Sequence, residues 1–268
     1  MTDRSPHEPL AEPPLVPTGF PSLEPLLHGG FRAGDLVVLG GDAQSGTSAL
    51  ALAFALRATA LDTPTLLLCS EYTPGRVFER AMAAESRVPV DALRRGDLDA
   101  VAQQAATLAA ARLRERSPIV VRLDGQGVAE LERAVDAAPT TRLLVVDGLE
   151  ALLTDPAGRD DALAFAVLAC KRLALRRDLV VLLTSHLPRF DRARRELRPT
   201  LDDFGVHGAV ATHADLVFGL FREELYQRDL SLTGAAELHL LKHRTGDLGY
   251  VDLYFDAACV RFEDVIDG

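Results

Sequence analysis

Five short, mostly apolar runs, at residues 36–39, 65–69, 118–123, 142–147 and 179–184, constrain this chain more than any other feature. A strand buried on both faces reads as such a run. Between the runs lie helical stretches at 48–60, 75–86, 98–116, 127–136 and 161–177. Parallel strands need long crossovers, and helices supply them, so the alternation predicts an α/β fold. Its central sheet should be mostly parallel, with helices on both faces. Segments 214–222, 236–242 and 250–255 read as strands joined by short turns. At 268 residues and 48% hydrophobic, the chain suits one large domain. Residues 1–16, with Pro6, Pro9, Pro13 and Pro14, read as a flexible Pro-rich lead-in to a domain over 17–268.

Composition narrows the partners. A formal net charge of -10 argues against a surface that attracts nucleic acid as a whole. It leaves room for a local basic channel, because charges more than about 8–10 Å apart are screened at physiological salt. Cys69, Cys170 and Cys259 show neither paired nor metal-ligand spacing, which fits a reducing compartment and buried thiols. No signal peptide opens the sequence, and no apolar run approaches the roughly 18–20 residues of a membrane span. The expectation is a cytoplasmic protein with no membrane partner. Lys171 and Lys242 are its only lysines, and arginine takes the other basic positions.

The run Leu36–Leu39 leads into Gly40-Gly41-Asp42-Ala43-Gln44-Ser45-Gly46-Thr47-Ser48, a strand, glycine loop and helix start. Gly41, Gly46 and Ser48 match the phosphate-loop pattern G-x-x-x-x-G-K-[ST]. Glycines let backbone N–H groups curl around phosphate oxygens, and the helix N-terminus adds positive potential. Residues 41–48 are therefore the candidate nucleotide cradle, with Ser48 placed to ligate Mg²⁺. Thr47 stands where the pattern has lysine. A strained glycine turn without a ligand is the competing reading. Losing a hydrogen bond to a charged partner costs about 1.5–3 kcal/mol, and losing one preorganised donor in a charged transition state costs about 10²–10³ in rate.

Three predicted strands end in polar groups. Arg142–Asp147 ends in a carboxylate suited to hold Mg²⁺ through water, or else to cap the next helix. Leu66–Glu71 ends in an acid that could orient an attacking water. Val180–His186 ends in groups that could sense a γ-phosphate. Ligands of open α/β sheets sit at such carboxyl ends.

Over about residues 16 to 265 the chain resembles the C-terminal, RecA-like motor domain of DnaB-type replicative helicases. The resemblance rests on Pro17-Thr18-Gly19-Phe20, Gly34-Asp35-Leu36, the phosphate loop, Ser70-Glu71, Arg80 and Glu85-Ser86-Arg87-Val88. It continues through Leu93–Leu98, Asp147, Ser185–Arg189, Ala214–Val217, Arg222-Glu223-Glu224, Lys242–Gly246 and Arg261-Phe262. It implies a P-loop NTPase using ATP and Mg²⁺, with Glu71 as base, Asp147 and Ser48 at the metal, and His186 as sensor. Lys242 and Arg244 match a pair that reaches a neighbouring subunit's nucleotide in a homo- or hetero-oligomeric ring; a solvated strand edge is the alternative.

Three departures stand out. Thr47 is one. The segment Leu201–Gly208 lacks the arginine and acid that the family places around Gly205 and Val206, and His186 replaces a glutamine. The family's N-terminal domain and linker helix are also missing. Against these, Arg189, Arg192, Arg194, Arg195 and Arg198 share one loop that could track single-stranded DNA or simply be solvated. Phe204 is the one aromatic that follows for base stacking. The expected function is a degenerate, weakly hydrolysing helicase-family module of DNA replication or repair. An active ring translocase is the alternative.

Overall fold

The structure, a computed structural model, describes residues 15–154, 159–227 and 232–265. All but the last two residues of the lead-in assigned to 1–16 lie outside them. Val16 is buried and forms an isolated antiparallel bridge with Phe31.

The chain runs β1 (Leu36–Gly41), α1 (Thr47–Ala60), β2 (Thr65–Cys69), α2 (Pro74–Ser86), α3 (Val90–Arg95), α4 (Ala100–Glu115), β3 (Ile119–Arg122) and α5 (Val128–Ala137). It continues β4 (Leu143–Asp147), α6 (Arg159–Arg177), β5 (Val180–His186), α7 (Ala209–His213), β6 (Leu216–Phe221), β7 (Ala235–His243), β8 (Gly249–Asp256) and β9 (Arg261–Asp264). One nine-stranded sheet has the order β3-β2-β4-β5-β1-β6-β7-β8-β9. Pairing is parallel from β3 to β6 and antiparallel from β6 to β9. The expected mostly parallel α/β sheet with helices on both faces is what the chain forms.

Alternation along β1 shows how the layers are made. Val37 and Leu39 face a core shared with α1, α2 and α4, whereas Leu36 and Val38 face one shared with α5, α6 and α7. Burying such a side chain contributes about 1.5–3 kcal/mol, so a strand buried at all six positions anchors both layers. Local chemistry sets the helix starts. Asp99 caps α4 by accepting from the Ala102 N–H at 2.8 Å, and α2 opens on Pro74 behind the Thr73 cap.

Run 118–123, read as a buried strand, is an edge strand instead: Ile119 is 55% exposed. The three cysteines are buried and free. Among the described residues no helix is long and apolar enough to cross a membrane.

Candidate functional site

The glycine loop leaves the carboxyl end of β1, between β5 and β6, where the chain's connections switch direction across the sheet. A Cβ on Gly41 would collide with the Ser45 hydroxyl and lie 2.9 Å from Thr47 Cγ2, so only glycine lets the loop close this tightly. Gly46 caps α1 at φ 99°. Gln44 also adopts a left-handed φ of 68°, a conformation that costs a non-glycine residue on the order of 1–3 kcal/mol.

Arg222 holds that strained turn from behind. This buried side chain donates from Nη1 to the carbonyls of Gln44 at 3.1 Å and Ser45 at 3.4 Å. It also pairs with Glu224 and lies 4.5 Å over the Phe255 ring. Ser45 Oγ is buried inside the loop without a hydrogen-bond partner. A strained turn, an orphaned hydroxyl and a cradle that any Cβ would fill together suit a phosphate ligand.

Beside the loop, Ser48 lies close enough to Asp147, at the end of β4, for its hydroxyl to lower that carboxyl. Thr184 Oγ1 donates to Asp147 Oδ1 at 2.9 Å and accepts the Gly148 N–H at 2.7 Å. Burial pushes the Asp147 carboxyl up; bonds from Thr184 and Ser48 and the charge of Arg80 oppose the rise, while Glu71 adds to it. Glu71 is thus close enough for its charge to act on Asp147. Arg80 stacks 4.8 Å over the Tyr72 ring. Among the described residues no three His, Cys, Asp or Glu side chains form a metal cage. A hydroxyl and a carboxylate instead fit an ion that takes its remaining oxygens from phosphate and water, as Mg²⁺ does. His186 ends β5 exposed, in register with Gly41.

The arginine loop does not project freely. Arg192 Nε donates to Asp42 Oδ2 at 2.8 Å, and the Tyr226 hydroxyl donates to the same oxygen at 3.0 Å. Burial would raise the Asp42 carboxyl, but these bonds and the Ala43 N–H hold it below its usual range. Arg194 pairs with buried Asp203 at 2.6 Å and stacks on Phe190. Arg198 pairs with Glu237 through two bonds. Arg189 and Arg195 are exposed. Phe204, the aromatic that the sequence offered for base stacking, is fully buried and so has no face to present.

Lys242 and Arg244 stand apart from the rest. Lys242 pairs with Val217 near the start of β6, at the amino ends of the parallel strands, opposite the glycine loop. Its Nζ donates to the carbonyls of Ala211 at 2.6 Å and Ala214 at 2.5 Å. Arg244 Nε donates to Asp215 Oδ1 at 2.7 Å, and Asp215 also receives Lys171 Nζ at 2.6 Å and the Leu36 N–H at 2.8 Å. The fold therefore unites residues 41–48, Glu71, Asp147 and His186, adds Arg192 to them, and leaves Lys242 and Arg244 outside.

Sequence reasoning missed the structural part of Arg222 and Tyr226. Arg222 is 178 positions from Gln44, and nothing local in its segment points to the loop. Thr184 carried a signal, as the first of the polar residues that end β5.

A glycine loop after the first strand, flanked by strand-end carboxylates in a mostly parallel sheet, defines a RecA-like P-loop domain. The family is equally plain. The chain belongs to the DnaB-like helicase C-terminal domain family, whose model matches residues 16–264. It is 29% identical over 259 residues to the replicative DNA helicase DnaB of Leifsonia xyli subsp. xyli, covering 93% of this chain and 56% of that one. It is 24% identical over 247 residues to the replicative DNA helicase DnaC of Bacillus subtilis, covering 90% and 54%. The chain thus spans about half the length of the curated relatives it matches. Among solved structures, a DnaB-like replicative helicase described with its interactions with primase superposes with TM-score 0.86 at 22% identity, over 95% of this chain and 64% of that one. The ATPase domain of G40P superposes with TM-score 0.85 at 23% identity, over 94% and 91%.

Proposed function

We propose that this chain binds ATP with Mg²⁺ in its glycine loop and serves DNA replication or repair as a weakly hydrolysing module of a DnaB-type assembly. One observation carries the reading. Thr184 holds Asp147 beside the loop, with the Ser48 hydroxyl close enough to lower that carboxyl, while position 47 is threonine. In this reading the loop amides and the start of α1 bind the phosphates, and Ser48 with Asp147 holds the ion. An ion held there would supply positive charge to the bound phosphates. Glu71 orients and deprotonates water, and His186 donates a hydrogen bond from the end of β5. Without a lysine at 47, charge developing on the transferred phosphate lacks one donor, so binding outlasts turnover. Lys242 and Arg244, remote from their own loop, act on a neighbouring subunit. Arg189 and Arg195 are the loop cations left for single-stranded DNA.

The alternative, an active ring translocase, is favoured by that same arrangement, which a purely structural domain would not need. ATP turnover with and without single-stranded DNA separates the two, measured beside Thr47→Lys and Glu71→Gln. Weak wild-type turnover that Thr47→Lys raises about 10²-fold or more supports the module. Brisk, DNA-stimulated wild-type turnover abolished by Glu71→Gln establishes the translocase. Silence in every variant, with no ATP binding, removes both.

A further inference from the structure

The segment Gly41–Ser48 carries a single formal charge, and it is negative: the Asp42 carboxylate. A cradle for a polyanion that has lost its lysine and kept an acid needs a cation from elsewhere. Two arginines reach it. Arg222 is buried and committed to the carbonyls of Gln44 and Ser45 and to Glu224. Arg192 differs on each count. Its side chain is 61% exposed, and Nε to Asp42 is its one bonded contact among the described residues, which leaves both Nη nitrogens available.

Arg192 also comes from the right side. It lies in the loop after β5, whose last residue, His186, is in register with Gly41, so that loop rises over the carboxyl ends of the strands beside the glycine turn. The Ser45 hydroxyl buried within that turn has no partner, a second sign that the cradle is completed by a ligand.

We propose that Arg192 supplies in cis the positive charge missing at Thr47, resting on Asp42 before nucleotide arrives and binding its phosphates afterwards. This inference rests on the nucleotide-binding reading above. It withdraws Arg192 from the DNA-facing set and assigns the chain a relocated phosphate-binding cation. Tyr226 has a matching part: its hydroxyl stays on Asp42 and supplies one hydrogen bond to the carboxylate when the guanidinium leaves.

The test is the affinity of the full chain for fluorescent ATP and AMP analogues with Mg²⁺. The variants are Arg192→Ala, Asp42→Asn, the double variant carrying both, and Arg192→Ala with Thr47→Lys. Circular dichroism verifies that each is folded. Arg192→Ala is expected to weaken ATP by about 10- to 100-fold and AMP far less, since the charge faces the outer phosphates. Asp42→Asn, which frees the guanidinium, tightens ATP, and the double variant stays as weak as Arg192→Ala. Thr47→Lys restores at least about ten-fold in the Arg192→Ala background. Wild-type affinity in Arg192→Ala overturns the proposal and leaves nucleotide binding standing. Wild-type affinity in the double variant also overturns it, by making Arg192 a clasp on Asp42. No recovery with Thr47→Lys overturns the exchange of roles. A folded wild type that binds no ATP removes the nucleotide reading and this proposal together.

Discussion

Asp35 and Arg222 show how single residues shape this domain away from the reacting atoms. Burial raises the Asp35 carboxyl from 3.8 to about 6, and nearby Asp215 adds to the rise, while the Arg32 N–H and the charges of Lys171 and Arg32 oppose it. A carboxyl with a raised folded pKa favours the fold while protonated. Its contribution is full below about pH 4 and is lost as pH climbs through about 6. Asp35→Asn keeps an acceptor for the Arg32 N–H, bonded at 2.8 Å, and removes the titration. Denaturant midpoints should show the variant gaining on wild type between pH 4 and 8, by at most about 3 kcal/mol and less where solvent screens the charge. Equal pH profiles would contradict this. Arg222→Ala should cost about 3 kcal/mol in urea unfolding, because it leaves Glu224 without its cation and the carbonyls of Gln44 and Ser45 without their donor. A loss under about 1 kcal/mol would show that the loop holds its own shape.

Among the elements, the turn at Leu201–Phe204 is anchored to the core. Thr200 and Asp203 form a reciprocal capping box, Asp203 is buried against Arg194, and Phe204 packs over Gly40. Phe204→Ala should therefore destabilise the fold by about 3–5 kcal/mol, read from thermal or denaturant unfolding. A surface role in base stacking would predict almost no loss. The same segment explains what the sequence could tell. The short apolar runs of β1, β2, β4 and β5 were readable as strands because burial on two faces leaves a recognisable pattern. β9, four residues of which Arg261, Glu263 and Asp264 are charged, and α3 and α7, of six and five residues, are too short to show a period. The shared position of residues 41–48, Glu71, Asp147 and His186 at the carboxyl ends of the strands was legible because strand-end chemistry is local. The pairings of Arg192 with Asp42 and Arg194 with Asp203 were not, because a run of arginines looks the same whether it faces solvent or folds back.

The placement of Lys242 and Arg244 is a property of the molecule as a whole. Both sit on the sheet end opposite the glycine loop, locked by Asp215, Ala211 and Ala214. In the Thr47→Lys background, Arg244→Ala should leave ATP affinity of the isolated chain unchanged and lower turnover in the proposed assembly. Mixing Arg244→Ala with Glu71→Gln subunits should then restore part of the turnover that each lacks alone. Mixtures no better than their components would confine Arg244 to bracing Asp215. The sheet order has one further result. β1, formed early in the sequence, is flanked by β5 and β6, so its partners arrive more than 130 residues later. Such distant pairings are slow to close, and until they form, the strand beneath the glycine loop has two open edges. During synthesis the candidate cradle is therefore completed only after β6 has emerged, and an emerging chain stopped before residue 216 would expose a sticky central strand rather than offer half a site.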